Sequence, residues 1–209
     1  MDINQDKGTK SPVLNLANML TLFRIVLAPV FLVVYFMTDL KATVSILLLW
    51  IILFISEITD YFDGLAARKL KLNSDFGKLF DPFADTLVQT TCFLCFLIDG
   101  LWGKGIFPII LFLLVIYREF SILFLRNLML RKGVTLGARM LGKIKTLLYI
   151  AAVGASLFAV SVDRLGVLEN LLPYFKCGSL IIFIISVIFS VSSFIDYLNI
   201  YFKTGNENK

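Results

Sequence analysis

Long apolar runs constrain the fold of this chain more than any other feature of its sequence. Of its 209 residues, 58% are hydrophobic and only 17% are charged. A soluble domain of this size needs more polar surface, whereas about 20 consecutive apolar residues allow a helix to cross a bilayer. The sequence therefore predicts an all-α integral membrane protein with six transmembrane helices, near residues 19–37, 43–60, 79–98, 106–127, 145–162 and 178–202.

The positions of lysine and arginine predict how these helices are oriented. Most of them fall in the N-terminal segment, the 61–78 loop, the 128–145 loop and the C-terminal segment. The opposite side carries only Lys41, Lys104, Arg164 and Lys176. Since basic loops stay in the cytoplasm, both termini are predicted to be cytoplasmic. We expect one membrane-embedded domain over 1–209 with a polar tail at 1–12, in the inner membrane of a bacterium, among membrane lipids and without a nucleic-acid partner.

The chain contains no histidine. Imidazole catalysis, histidine metal ligands and a Ser-His-Asp triad are therefore excluded, and acid–base chemistry needs carboxylates, lysine, tyrosine or cysteine. Cys92 and Cys95 have the spacing of a redox or zinc pair, but they lie inside an apolar run and no second pair completes a zinc site. We predict that both are packing residues.

Four aspartates lie where two apolar runs meet a short loop, in the stretch DYFDGLAARKLKLNSDFGKLFDPFAD. Asp60 and Asp63 are three residues apart and Asp81 and Asp85 are four apart, so each pair shares one face of a helix. Four converging carboxylates repel one another, and ionised acids at the hydrocarbon edge are costly. A divalent cation removes both costs, and oxygen-only ligands favour Mg²⁺ or Mn²⁺. The alternative interpretation is a solvated acidic and basic loop.

The same stretch resembles the signature of the CDP-alcohol phosphotransferases, with all eight fixed positions at the family's spacing. Members have six spanning helices, are often homodimeric, and transfer a phosphatidyl or similar group from a CDP-linked donor to an alcohol. The resemblance implies that Asp60, Asp63 and Asp81 hold one or two metal ions. It also implies that Asp85 shares an ion and acts as the base on the acceptor hydroxyl. The CDP moiety would be bordered by Gly64, Ala67, Arg68 and Gly77.

The run NMLTLFR near the N-terminus is similar to the family's N-x-x-T-x-x-R start. The resemblance places Asn18, Thr21 and Arg24 at the donor, with Thr21 and Arg24 near its phosphates. The alternative is an interfacial cap followed by an arginine that extends towards the headgroups.

Basic residues in the second half indicate the acceptor. Arg118, followed by Glu119, interrupts an apolar run, and a buried arginine there is a functional candidate. With Arg126, Lys143 and Lys145 it is predicted to bind an anionic acceptor. The alternatives are a structural Arg–Glu pair and loops that follow the positive-inside rule.

The arrangement RE…R…GKIKT resembles the phosphatidylglycerophosphate synthases, a subfamily whose members use glycerol 3-phosphate. This narrower resemblance implies CDP-diacylglycerol and glycerol 3-phosphate as substrates. Thr86 departs from it, because that subfamily usually has lysine directly after the last aspartate. Inositol phosphate, serine and choline therefore stay alternative acceptors.

Two other classes of protein compete with this interpretation. A divalent-cation transporter predicts acids near the bilayer midplane on several helices, but Glu119 and Glu57 are the only further candidates. A structural helix bundle leaves the clustered aspartates unexplained.

Overall fold

A computed structural model of the chain describes residues 16–37, 40–69, 75–131 and 140–207. Within these ranges, the side chains of 16–18, 61, 63–69, 75–79, 130–131 and 203–207 lie outside what it describes. The described residues form α1 (Leu16–Phe36), α2 (Ala42–Lys69), α3 (Asp75–Asp99), α4 (Ile106–Arg131), α5 (Met140–Leu165) and α6 (Leu172–Glu207), with a short 3-10 helix at Glu169–Leu171. The predicted all-α class and the six predicted helices are confirmed.

Five of these helices, all except α3, are long and apolar enough to cross a membrane. The chain is therefore an integral membrane protein with several candidate spans. Helix α3 differs because its sequence up to Gln89 carries acidic and amide side chains, including Asp81 and Asp85. It packs instead against α1, α4 and α5, and the side chains of Phe93 and Phe96 are fully buried.

Two helices continue well beyond the apolar runs that predicted them. Helix α2 extends past Asp60 to Lys69, and α6 spans Leu172–Glu207 rather than 178–202. An apolar run marks the part of a helix that faces lipid, whereas the backbone hydrogen bonds continue into the polar layer. Helix α3 begins at Asp75, so Pro82 lies inside it rather than at its start.

An aromatic cluster on α3 joins the two halves of the bundle. The ring of Phe93 lies 5.5 Å from that of Tyr149 on α5 and 4.7 Å from that of Phe183 on α6. Trp102, which follows α3, stacks on Phe183 at 4.3 Å. The thiols of Cys92 and Cys95 are buried in the same core and form no disulfide. Their predicted role as packing residues is confirmed.

Polar contacts join α1 to α3 at both ends of the bundle. At one end Thr21 contacts Asp81, which joins the first turns of α1 to the first turns of α3. At the other end Tyr35 donates to Asp99 at 2.8 Å, and the guanidinium of Arg164 lies over the Tyr35 ring. Because the helices alternate in direction, α1 begins and α6 ends at the same end of the bundle.

Candidate active site

Arg24 of α1 lies between two of the predicted aspartates. Its Nη1 donates to the Oδ1 of Asp60 on α2 at 2.6 Å, and it also contacts the Oδ1 of Asp85 on α3. The arginine side chain is 1% exposed, whereas the two carboxylates are 47% and 39% exposed. A buried guanidinium requires a counter-charge. Arg24 therefore holds the polar ends of three helices together, with both carboxylates open to solvent on one side.

Thr21 extends this contact along the same face of α1. Its hydroxyl donates to the Oδ1 of Asp81 at 2.6 Å. Thr21 and Arg24 are three residues apart, and Asp81 and Asp85 are four apart, so each pair forms one stripe along its helix. The two stripes face each other, which brings the predicted donor-binding residues of α1 to the aspartates of α3.

Several predicted site residues have side chains that lie outside those described. They are Asn18, Asp63, Gly64, Ala67, Arg68 and Gly77. Their backbone positions fall within α1, α2 and α3, and the predicted roles of their side chains stay predictions.

The described aspartates contact polar side chains of α1 and do not form one cluster of metal ligands. Asp60 and Asp85 meet at the Arg24 guanidinium, and Asp81 meets the Thr21 hydroxyl. Among the described side chains, no three acidic groups lie close enough to hold one ion. The three carboxylates nevertheless share one end of the bundle and are partly exposed. Carboxylate oxygens without imidazole or thiolate are the donors that Mg²⁺ and Mn²⁺ prefer, so the residue types fit a hard divalent ion.

A cavity of about 280 Å³ opens beside Asp81 and Asp85. Its walls come from α3, α4, α5 and α6. The four residues predicted to bind the acceptor's phosphate all line it together with these two aspartates; they are Arg118, Arg126, Lys143 and Lys145. With Glu119, which also lines it, the cavity carries four basic and three acidic side chains. One continuous open cavity therefore connects the predicted base to the predicted phosphate-binding residues.

Arg118, Glu119 and Lys145 form a buried ionic triad in the wall of this cavity. The Oε1 of Glu119 accepts from Arg118 Nη1 at 2.7 Å and from Lys145 Nζ at 2.9 Å. Arg118 also donates to the carbonyl oxygen of Ser190 at 3.0 Å and to the Oγ of Ser193 at 3.2 Å. The structural Arg–Glu pair that was the alternative interpretation of Arg118 is thus present, and it lies at the cavity itself.

The other two basic residues of the cavity are less engaged. The Arg126 guanidinium lies 5.9 Å from the centre of the Tyr197 ring, and its buried Nε has no hydrogen-bond partner among the described residues. Lys143 is exposed and forms no ion pair within the described part of the chain. These two side chains are the cavity's cations that are available to an anion.

Sequence reasoning missed three residues of this site. Tyr197 closes the cavity from α6, and Thr146 and Gln89 line both this cavity and a smaller one beside Arg24 and Asp60. Nothing in the last apolar run distinguishes Tyr197 from its aromatic neighbours. Gln89, however, lies four residues after Asp85, so the helical period alone places it on the same face.

Comparison with known proteins adds an independent finding. Residues 14–192 match a protein family described as CDP-alcohol phosphatidyltransferase. The chain is 34% identical over 194 residues to a CDP-diacylglycerol–glycerol-3-phosphate 3-phosphatidyltransferase of Treponema pallidum, covering 90% of this chain and 86% of that one. A Bacillus subtilis protein of the same description is 36% identical over 68% of this chain and 76% of its own. A probable phosphatidylglycerophosphate synthase of Mycobacterium tuberculosis is 35% identical over 73% of this chain and 70% of its own.

Proposed function

The chain belongs to the CDP-alcohol phosphatidyltransferase family, and we propose that it transfers the phosphatidyl group of CDP-diacylglycerol to sn-glycerol 3-phosphate. The products are phosphatidylglycerophosphate and CMP. The observation that carries this proposal is the cavity in which Asp81 and Asp85 face four basic side chains. The names of the Treponema and Bacillus relatives also support it.

The charge of the cavity favours an acceptor that carries a phosphate. A phosphate monoester is close to a dianion at neutral pH, so two carboxylates would repel it without compensating cations. Arg126 and Lys143 are proposed to contact the phosphate directly, while Arg118 and Lys145 add the positive field of the triad. Serine and choline bring no phosphate to these cations. Inositol phosphate would meet them equally well, and it is the alternative acceptor with the same charge.

Asp85 is the proposed general base. It lines the cavity, and Arg24 contacts one of its oxygens. A hydroxyl group is a weak nucleophile, so a positioned carboxylate that accepts its proton accelerates the attack. Arg24 orients this carboxylate, and Thr21 orients Asp81 in the same way one turn earlier on each helix.

The donor is proposed to bind at the aspartates on the α1 side. Asp60, Asp63 and Asp81 would hold one or two Mg²⁺ or Mn²⁺ ions, and Asp85 would share one. When bound, the ion neutralises the pyrophosphate and stabilises the CMP leaving group. Thr21 and Arg24 supply hydrogen bonds near the phosphates. The remaining proposed donor contacts are Asn18, Gly64, Ala67, Arg68 and Gly77.

We also propose the orientation of the protein. Helix α3 crosses the membrane inside the bundle as a sixth span, both termini are cytoplasmic, and the active site faces the cytoplasm of a bacterium. The distribution of lysine and arginine supports this orientation, and the family resemblance supports a homodimer. The aspartates lie at one end of the bundle, not at mid-depth on several helices, which disfavours a cation transporter.

An assay with single acceptors tests the proposed function. Purified protein in detergent receives CDP-diacylglycerol labelled in its diacylglycerol part, a divalent ion, and glycerol 3-phosphate, inositol phosphate, serine or choline. We expect labelled phosphatidylglycerophosphate and one CMP per lipid formed from glycerol 3-phosphate. The Asp85→Asn variant is the control for contaminating activity. A wild-type protein that transfers only to another acceptor would refute the named reaction.

A further inference from the structure

Gln89 of α3 is a buried polar side chain that the proposed mechanism leaves without a role. It is 9% exposed, and its amide forms no hydrogen bond to a described residue. The amide is not among the fully buried polar atoms that lack a partner in the described part of the chain, so it is open to the cavities that Gln89 lines. A polar group open to a substrate cavity is available to a hydrogen-bond partner that enters it.

The position of Gln89 indicates what that partner is. Gln89 lies four residues after Asp85, on the same face of α3. Both side chains line the cavity of about 280 Å³ and the smaller cavity of about 20 Å³ beside Arg24 and Asp60. The amide is therefore next to the point at which the proposed base meets the acceptor.

We propose that Gln89 determines acceptor specificity by hydrogen-bonding the C2 hydroxyl of glycerol 3-phosphate, an inference that rests on the proposed function. The acceptor carries its phosphate on C3, its reacting hydroxyl on C1, and one further hydroxyl on C2. When the phosphate binds at Arg126 and Lys143 and the C1 hydroxyl lies at Asp85, the C2 hydroxyl is the remaining polar group. An amide both donates and accepts hydrogen bonds, as a hydroxyl does.

A hydrogen-bonding role of Gln89 and a packing role predict different results for an acceptor with the C2 hydroxyl and an acceptor without it. A packing residue affects every acceptor alike, because it changes only the amount or shape of folded protein. A residue that bonds one hydroxyl affects only acceptors that have this hydroxyl. A polar site built for a substrate hydroxyl also discriminates against the analogue that lacks it, since the site's buried group is then left unpaired.

The test compares glycerol 3-phosphate with 3-hydroxypropyl phosphate, which lacks only the C2 hydroxyl. We expect the wild type to prefer glycerol 3-phosphate by about 10-fold or more in kcat/KM. In Gln89→Leu, kcat/KM for glycerol 3-phosphate falls by about 10-fold, while that for the analogue changes by less than about 2-fold. The ratio is measured within one preparation, so a lower folded fraction cancels.

A neighbouring threonine provides the matched control. The Thr90 hydroxyl donates to the Thr86 carbonyl oxygen at 2.6 Å, and Thr90 lines neither cavity. Thr90→Val removes a polar group from the same helical turn and should leave the preference unchanged. If wild type does not discriminate, or if Gln89→Leu lowers both values equally, the role of Gln89 is overturned and the proposed function stands. If wild type makes no lipid product from glycerol 3-phosphate, both are overturned.

Discussion

The ammonium group of Lys145 on α5 lies 2.9 Å from a carboxylate oxygen of Glu119 on α4. Arg118 donates to the same oxygen, so two buried cations share one buried anion. The triad therefore has a net charge of +1, and it lies in the wall of the cavity. Its contacts on α4, α5 and α6 also fix the relative positions of three helices that form the cavity.

Removing the Glu119 charge should destabilise the protein strongly. In Glu119→Gln, Arg118 and Lys145 stay buried without a counter-charge, and such losses cost about 3–5 kcal/mol. The measurement is the free energy of unfolding in mixed detergent micelles. The control is Asp163→Asn, which removes an ion pair of 2.7 Å to Lys176 whose partners are 45% and 35% exposed. This exposed pair should contribute less than about 1 kcal/mol. Equal losses in the two variants would contradict the structural role of the triad.

Arg126 offers a sharper test of the acceptor site than Arg118, because it stands outside the triad. In Arg126→Ala, the KM for glycerol 3-phosphate should rise about 10- to 150-fold, the equivalent of one hydrogen bond to a charged group at about 1.5–3 kcal/mol. The KM for CDP-diacylglycerol should change little. Lys176→Ala, at the opposite end of the bundle, is the matched loss of a basic residue. A rise in the donor's KM that equals the rise in the acceptor's would place Arg126 outside the acceptor site.

The two aspartates that contact Arg24, Asp60 and Asp85, should affect different steps when each is changed to asparagine. Because Asp85 is the proposed base, the Asp85→Asn variant should have a kcat at least about 100-fold lower than that of the wild type. Binding of the CDP-lipid should be kept better in this variant than in Asp60→Asn, which loses a proposed metal ligand. Donor binding is measured by equilibrium dialysis with labelled CDP-diacylglycerol in detergent. If Asp85→Asn loses donor binding as completely as Asp60→Asn does, Asp85 is not primarily a base.

Activity should require a divalent ion. The carboxylates at this end of the bundle lack imidazole and thiolate neighbours, so a hard ion such as Mg²⁺ or Mn²⁺ suits them. EDTA should abolish product formation, and either ion should restore it. Unchanged activity in metal-free buffer would rule out the proposed ligand role of Asp60, Asp63 and Asp81.

Helix number and the position of the aspartates could be predicted from sequence because both depend on short-range patterns. Apolar runs identify membrane-embedded helices, and the spacings of Asp60–Asp63 and Asp81–Asp85 define one face of each helix. The pairing of Thr21 with Asp81 joins residues 60 positions apart. No local pattern contains that contact, and the family resemblance placed both residues at the donor without predicting that they meet.

The sequence predicted that Arg118, Arg126, Lys143 and Lys145 lie near one another, and all four line one cavity, but it did not predict their arrangement. Arg118 was singled out because an arginine inside an apolar run is costly. Whether Glu119 pairs with Arg118 alone or also with Lys145 depends on how α4 and α5 pack. Tyr197 could not be predicted at all, because its place in the cavity wall follows from the rotation of α6.

A competition assay among four acceptors tests whether glycerol 3-phosphate is the preferred acceptor. Purified protein receives CDP-diacylglycerol and an equimolar mixture of glycerol 3-phosphate, inositol phosphate, serine and choline, all well below saturation, and mass spectrometry quantifies the lipid products. The ratio of products then equals the ratio of kcat/KM values. We expect phosphatidylglycerophosphate to be the dominant product, and total CMP release to equal the total lipid product. Dominance of phosphatidylserine, phosphatidylcholine or phosphatidylinositol phosphate would contradict this expectation.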